Sequence, residues 1–171
     1  MRFLDRKDAG VVLAKKLVSY KNRANTIVLA LPRGGVPVAF QLAKELNLPL
    51  DIMLVRKLGV PGHEELAMGA IANGRVQVLN EEIVRSLSIP PSIVEEVVAE
   101  EHKELERRNQ EYRDGRPAPK IKGKIVILVD DGMATGANMR AAVDAVKKQQ
   151  AERIVVAVPV ASDSAYDAVK E

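Results

Sequence analysis

The fold is decided by one stretch of the sequence, Lys124-Ile125-Val126-Ile127-Leu128-Val129-Asp130-Asp131-Gly132-Met133-Ala134-Thr135-Gly136-Ala137-Asn138. Residues 125–129 are five consecutive aliphatic residues, four of them β-branched, which is typical of a strand buried on both faces in a parallel sheet. Asp130 and Asp131 follow where this strand ends. At least one carboxylate is therefore expected at the carboxyl edge of the sheet, where open α/β folds bind ligands.

The loop after the two acids has the composition of a phosphate-binding loop. Gly132, Thr135 and Gly136 are small or hydroxyl-bearing, and a helical pattern begins at Asn138. Small residues let backbone N–H groups approach an anion, the Thr135 hydroxyl adds a donor, and the amino end of a helix is electropositive. Carboxylates beside such a loop suit a sugar phosphate, because its vicinal hydroxyls need acceptors while its phosphate needs donors.

An ordinary turn is the alternative interpretation, since Asp and Gly are both favoured in turns. A plain turn requires neither the Thr135-Gly136 pair nor a helix that starts at once, so the whole pattern favours a ligand site. The sequence contains neither G-x-x-x-x-G-K-[ST] nor G-x-G-x-x-G, so the P-loop and dinucleotide-binding motifs are absent.

A second strand, loop and helix lie earlier in the chain. Residues 26–31 form an apolar run typical of a buried strand, Pro32-Arg33-Gly34-Gly35 follows it, and residues 36–46 have helical spacing. Adjacent glycines allow close backbone approach, and the planar guanidinium of Arg33 matches phosphate oxygens. The loop is a candidate anion site, and an ordinary tight turn is the alternative.

A third strand is predicted over Leu50–Val55, ending at Arg56-Lys57. Two cations at the carboxyl end of a strand would complete a site for a polyanion, and a solvated turn is the alternative. The next segment, Leu58–Gly69, contains three glycines and a proline. Its composition predicts a loop that could serve as a lid.

The remaining segments continue the alternation of strand and helix. The other predicted elements are a first helix capped by Asp5, a hairpin about Asn73-Gly74, a helix Glu81–Leu87 capped by Asn80, a long charged helix Ser92–Tyr112, a helix Met139–Gln150, a strand Arg153–Val158 and a helix capped by Ser162. This order predicts an α/β fold with a mostly parallel sheet flanked by helices, into which residues 75–118 insert a hairpin and helices. One domain is expected over residues 1–171, and the late final helix suggests a truncated carboxyl end.

Composition narrows the class of protein. The 171 residues are 47% hydrophobic and 29% charged, as in globular proteins. The net charge of +3 and the presence of only two Phe, three Tyr and no Trp argue against a nucleic-acid partner. The absence of cysteine excludes disulfides, thiolate metal sites and a cysteine nucleophile. A polar start and no apolar stretch of bilayer length indicate a cytoplasmic protein without a membrane partner.

Residues 126–138 closely resemble the motif that binds 5-phosphoribosyl 1-pyrophosphate (PRPP) in type I phosphoribosyltransferases: four apolar residues, two acids, a short loop and Thr-Gly. The resemblance implies that Asp130 and Asp131 bind the ribose 2′- and 3′-hydroxyls and contact Mg²⁺. It also implies that a loop binds the 5′-phosphate. By position, that loop consists of Gly132, Met133, Ala134, Thr135, Gly136 and Ala137.

The loops at 32–35 and 56–65 match the same family in order and position. The resemblance implies that Arg33, Gly34 and Gly35 bind the pyrophosphate of PRPP, with a cis peptide expected between Arg33 and Gly34. It further implies that Arg56 and Lys57 stabilise the leaving group and that the lid shields the ribosyl cation from water.

Within the lid, Glu64 or Glu65 is the candidate general acid or base, ahead of His63. These three side chains are equally consistent with plain solvated loop residues. Enzymes of the family that act on 6-oxopurines carry an acid at the position of Ala134, so such an acceptor is disfavoured.

The function implied by the resemblance is the transfer of ribose 5-phosphate from PRPP, with Mg²⁺, to a small nitrogenous acceptor, with release of pyrophosphate. A regulatory module that binds PRPP or a nucleotide without catalysis is the alternative. The chain is most similar to stand-alone bacterial members with Pro-Arg-Gly-Gly and Arg-Lys-x-Gly loops, which run further at the carboxyl end. The surface of the long helix is consistent with a homodimer.

Overall fold

The computed structural model of the protein describes residues 3–73 and 76–170. The helices are α1 (Arg6–Lys16), α2 (Gly35–Leu46), α3 (Glu81–Ser86), α4 (Pro91–Arg113), α5 (Ala137–Lys148) and α6 (Asp163–Lys170), with a 3₁₀ turn at Val18–Tyr20. The strands are β1 (Thr26–Ala30), β2 (Leu50–Ile52), β3 (Val55–Val60), β4 (His63–Ala72), β5 (Val76–Leu79), β6 (Ile125–Val129) and β7 (Arg153–Ala157). In the part of the chain that is described, no helix has the length and apolar character needed to cross a membrane.

Four parallel strands form the main sheet in the order β2-β1-β6-β7, so β6 is an inner strand of a parallel sheet. Strands β1 and β6 pair in register from Thr26 with Ile125 to Ala30 with Val129, and all five residues of each strand are buried. Helices α1 and α2 pack on one face of these strands and α5 packs on the other. The prediction of an α/β fold with a parallel sheet between helices is therefore confirmed.

The predicted third strand, Leu50–Val55, is interrupted. Strand β2 belongs to the parallel sheet, whereas β3 begins an antiparallel sheet with the order β3-β4-β5. Asn73 stabilises the break, because its N–H donates to the Leu54 carbonyl and its Oδ1 accepts the Leu54 N–H, each at 3.1 Å. The prediction of one strand was wrong, and Arg56 and Lys57 lie within β3 rather than beyond the end of a strand.

The predicted lid is not a loop. Strands β3 and β4 pair through it, with Leu58 opposite Gly69 and Val60 opposite His63. Only Pro61 and Gly62 form the turn between the strands. The prediction failed because pairing with a neighbouring strand overrode the local preference of the glycines, and register irregularities around Gly59 absorb the misfit.

The predicted hairpin about Asn73 is confirmed in its strands. Ala72 pairs with Val76 and Gly69 pairs with Leu79 in the antiparallel ladder of β4 and β5. Residues 74 and 75, which complete the predicted turn and begin its second strand, lie outside the described residues.

The predicted helix caps are confirmed by their hydrogen bonds. The Asp5 side chain accepts the N–H of Asp8 at 2.8 Å, and the Asn80 side chain accepts that of Ile83 at 3.2 Å. Ser162 caps α6 by accepting the N–H of Ala165 at 3.1 Å. Each cap satisfies a backbone donor that the first turn of a helix leaves without a partner.

Helix α4 is anchored at its carboxyl end by a buried arginine. Arg113 is 3% exposed and forms an ion pair of 2.7 Å with Asp51. Its guanidinium also donates to the carbonyls of Ile52 and Pro117 at 3.0 Å each. Since a buried charge is tolerated only when it is paired and hydrogen-bonded, these contacts fix the long helix beside the carboxyl end of β2.

Replacing Arg113 with methionine should destabilise the protein by about 2 kcal/mol, somewhat less than the loss for a fully buried ion pair. The loss is reduced because the Asp51 side chain is 30% exposed and regains water. Urea unfolding measures the effect. The matched control is Arg107→Met on the same helix, whose side chain is 60% exposed and pairs at the surface with Glu104 and Glu111; it should leave the unfolding midpoint unchanged. Equal losses in the two variants would contradict the anchoring role.

Candidate active site

Asp130 directly follows β6 and is partly buried. Its Oδ1 accepts a hydrogen bond of 2.8 Å from the backbone N–H of Asp131. The pKa of Asp130 is raised to about 6, chiefly by burial and also by the charge of Asp131, against the lowering effect of that hydrogen bond. A carboxyl group with a pKa perturbed in this way, at the carboxyl edge of a parallel sheet, is characteristic of a functional site.

Asp131 is held by a residue from the first helix. The Nε and Nη2 atoms of Arg6 lie 2.9 and 2.7 Å from Oδ2 of Asp131. Sequence analysis missed Arg6, because 125 residues separate the partners and the first helix lies outside the stretch that resembles a known motif. Its only local signal is an arginine directly after the capping residue Asp5.

The loop Pro32–Gly35 packs directly onto the two acids. A Cβ atom at Gly34 would lie 2.3–2.5 Å from the carboxylate atoms of Asp131. A Cβ atom at Gly35 would lie 2.6 Å from the Val129 carbonyl oxygen and 2.9 Å from the Cα of Asp130. Because any side chain at these positions would collide with the acids, the glycines let the two loops touch, which a simple tight turn does not require.

One peptide bond of this loop is cis, and it joins Pro32 to Arg33. The prediction of a cis bond between Arg33 and Gly34 was therefore wrong by one residue. The N–H of Gly35 donates to the Leu31 carbonyl and that of Val36 to the Arg33 carbonyl. The N–H groups of Arg33 and Gly34 have no acceptor among the residues that the structure describes, so both are available to an anion.

The loop 132–137 is held from behind by the segment before α6. The N–H of Met133 donates to the Val160 carbonyl at 2.9 Å, and the N–H of Ser162 donates to the Met133 carbonyl at 3.0 Å. The hydroxyl of Ser162 donates to the Ala134 carbonyl at 2.6 Å. Met133, predicted to bind substrate, therefore has its N–H engaged within the protein.

The front of the same loop carries unused donors. Within residues 3–73 and 76–170, the N–H groups of Ala134, Thr135 and Gly136 find no acceptor. The N–H of Ala137 lies 3.4 Å from the Thr135 hydroxyl oxygen. Gly136 has a φ of 74° and precedes the first residue of α5, a conformation that favours glycine. Adjacent free amides at the start of a helix form a concave site for an anion.

A cavity of about 620 Å³ opens beside the two acids. Five of the site residues predicted from the sequence line this cavity: Arg33, Arg56, Lys57, Glu64 and Asp130. Asn138, which sequence analysis treated only as the start of a helical pattern, also lines the cavity. Polar side chains from the Pro32–Gly35 loop, the end of β6, the β3–β4 hairpin and the start of α5 therefore line one open cavity.

Some predicted residues lie outside this cavity. Glu64 lines it and Glu65 is not among its described lining residues, because successive side chains of a strand point to opposite faces. Asp131, Gly34, Gly35 and residues 132–137 are also not among the described lining residues, although Gly34 and Gly35 pack directly onto the acids.

Helix α4 forms one wall of the cavity. Val97, Leu105 and Tyr112 supply its apolar part. Glu101 on the same helix forms an ion pair of 2.6 Å with Arg56, so that arginine is already partly neutralised. The part of the cavity that α4 lines therefore combines an apolar strip with charged side chains.

The sequence profile of the family described as "Phosphoribosyl transferase domain" matches residues 5–171. The chain belongs to this family. A Mycobacterium tuberculosis protein, provisionally named a phosphoribosyl transferase, is 45% identical over 161 residues, which cover 94% of this chain and 36% of that protein. This phosphoribosyl transferase domain therefore spans about a third of the length of the curated relatives it matches.

Solved structures share the fold of this chain. The protein TT1426 from Thermus thermophilus is 44% identical, with a TM-score of 0.90 over 99% of this chain and 80% of that chain. A purine phosphoribosyltransferase from Pyrococcus horikoshii is 19% identical, with a TM-score of 0.55 over 96% of this chain and 78% of that one; this likeness concerns the fold alone. The resemblance seen in residues 126–138 is confirmed at the level of family and fold.

Proposed function

We propose that this domain binds PRPP and, with Mg²⁺, transfers its ribose 5-phosphate to a small nitrogenous acceptor, releasing pyrophosphate. One observation carries the proposal: two adjacent acids lie between two loops, and each loop has some backbone N–H groups without an acceptor among the described residues, those of Arg33 and Gly34 in one and of residues 134–136 in the other. A diol with a phosphate on one side and a pyrophosphate on the other matches that order of acceptors and donors.

Each part of PRPP has a proposed set of partners. The ribose hydroxyls would bind Asp130 and Asp131, and the 5′-phosphate would bind the amides of residues 134–136 with the Thr135 hydroxyl. The pyrophosphate would bind the amide of Gly34 and the side chains of Arg33 and Lys57. Arg56 would contribute less than Lys57, because its charge is shared with Glu101 at 2.6 Å.

The two acids also fit the proposed Mg²⁺. Among the described residues no group of three or more His, Cys, Asp or Glu side chains could hold a metal ion. Mg²⁺ does not need such a cage, since it commonly takes one or two carboxylates together with substrate phosphates and water. Asp130 and Asp131 are the carboxylates we propose for it, and the ion would neutralise charge on the pyrophosphate.

The proposed reaction breaks the bond between ribose C1 and the pyrophosphate oxygen, whose electron pair leaves with pyrophosphate. A nitrogen of the acceptor forms the new bond to C1 and loses a proton. Arg33 and Lys57 would stabilise the charge that builds on the leaving group. Glu64 is the proposed acceptor of the proton, because it lines the cavity and Glu65 does not.

The apolar strip of α4 is the proposed place for the acceptor. Val97, Leu105 and Tyr112 line the same cavity as Asp130, and Tyr112 offers an aromatic ring to a planar acceptor. Ala134 supplies no carboxylate for a purine ring, so a 6-oxopurine acceptor remains disfavoured. The tip of the β3–β4 hairpin, residues 61–66, is exposed beside the cavity and is the proposed cover.

The test combines PRPP, Mg²⁺ and a panel of nucleobases and amines, with pyrophosphate release and mass spectrometry of a ribosyl-phosphate adduct as readouts. We expect an adduct with at least one acceptor, and Asp131→Asn to lower the rate on the order of 100-fold without unfolding the protein. Asp167→Asn, at an exposed position of α6, is the matched control and should leave the rate unchanged. PRPP-dependent melting without any turnover would indicate a regulatory module instead, and no PRPP binding at all would overturn the proposal.

A further inference from the structure

Arg6 contacts only one of the two carboxylate oxygens of Asp131 among the described hydrogen bonds. Both contacting nitrogens of its guanidinium lie on the same carboxylate oxygen, Oδ2, at 2.9 and 2.7 Å. Among the described residues, Oδ1 of Asp131 accepts no hydrogen bond. The ion pair therefore fixes the orientation of the carboxylate and leaves one oxygen for a ligand.

The position of Arg6 is set by the packing of the first two helices. Asp5 caps α1, so Arg6 is the first residue of that helix. Gly10 allows a close approach to α2, since a Cβ atom there would lie 2.6 Å from the Val38 carbonyl oxygen. Helix α2 starts at Gly35, directly after the loop residue that touches Asp131. Arg6, Gly34 and Asp131 therefore belong to one packed unit.

Global stability does not explain this ion pair. The Arg6 side chain is 59% exposed and that of Asp131 is 32% exposed, and ion pairs at such positions contribute little to folding. The local effect is larger, because two adjacent carboxylates repel one another and an unrestrained aspartate side chain samples several rotamers. A guanidinium on one oxygen compensates the repulsion and selects one rotamer.

We propose that Arg6 is a positioning residue of the PRPP site: it holds Asp131 with Oδ1 turned free for the ribose diol or its metal ion. This inference rests on the proposed function. Residues that hydrogen-bond a ligating carboxylate typically change affinity or activity by about 10–100-fold when they are removed. Arg6 acts through Asp131 and needs no contact with PRPP.

The experiment measures PRPP affinity by calorimetry with Mg²⁺ present, and KM and kcat where turnover is found. Arg6→Ala should weaken PRPP binding about 10–100-fold, with KM changing more than kcat and the melting temperature nearly unchanged. Arg6→Lys keeps the charge without the planar fork and should restore part of the affinity. Lys7→Ala, which removes an exposed charge from the same turn of α1, is the matched control and should bind PRPP as the wild type does.

A double-mutant cycle separates positioning from an independent contact with the ligand. Once Asp131→Asn is present, Arg6→Ala should weaken PRPP binding no further. Additive losses, or unchanged or tighter binding by Arg6→Ala, would overturn the inference while leaving the proposed function intact. A wild-type protein that does not bind PRPP would overturn both.

Discussion

Gly34→Ala should abolish most PRPP binding in a protein that remains fully folded. The new Cβ atom would lie 2.3–2.5 Å from the carboxylate of Asp131, so the carboxylate or the loop must move. Asp131 is the part that can move, because its side chain is 32% exposed. Gly34 has a φ of −61° and a ψ of −37°, which alanine adopts without strain. A misplacement of this size costs on the order of 100-fold in affinity or kcat/KM, measured by calorimetry and PRPP-dependent turnover.

The contrasting control is Gly123→Ala. Gly123 has a φ of 71° and open space around the position of a Cβ atom, so alanine there is strained without touching the acids. It should lower the free energy of unfolding by about 1 kcal/mol and leave PRPP affinity unchanged. Gly34→Ala should thus lower PRPP affinity without lowering stability, and Gly123→Ala should lower stability without lowering PRPP affinity. Normal PRPP affinity in Gly34→Ala would show that the contact between the loop and Asp131 has no functional role.

The local sequence was sufficient to predict the strand β6 and the position of the two acids at its end. Both faces of β6 are buried, so every residue of 125–129 is apolar and the strand can be recognised from these five residues alone. The position of Asp130 and Asp131 follows from the end of the same run. Likewise, the caps at Asp5 and Asn80 depend on residues three positions away, so short-range patterns contain the information.

The parts that sequence analysis missed depend on partners far away in the chain. The break before β3 is stabilised by Asn73, 19 residues from Leu54, and no local pattern of 50–55 reveals it. The contact of Arg6 with Asp131 spans 125 residues. The close approach of Gly34 to Asp131 requires both loops to be in place. Single-sequence reasoning located the glycines and acids but could not show that they touch.

Asp130→Asn should raise the stability of the protein at neutral pH and remove its proposed function. The folded state holds Asp130 with a pKa of about 6, above its ordinary value of 3.8. The stabilising contribution of the protonated carboxyl is thus complete below pH 4 and is lost as the pH rises through 6. Asparagine cannot ionise and its amide oxygen can still accept the N–H of Asp131. We expect a gain of about 1 kcal/mol at pH 7, discounted for the partial exposure of the group, and a loss of turnover on the order of 100-fold.

Chemical denaturation of both proteins from pH 4 to pH 8 provides the measurement. The difference in unfolding free energy should be near zero at pH 4, grow through pH 6 and level off above it, since only the wild type gains a charge at this position. Asp131→Asn is the comparison variant: it removes the ion pair with Arg6 at 2.7 Å together with a charge that contributes less than burial to the raised pKa of Asp130. Its gain in stability should therefore be smaller than that of Asp130→Asn. An Asp130→Asn protein that is less stable than the wild type at pH 7, or that still binds PRPP normally, would contradict the role given to this carboxylate.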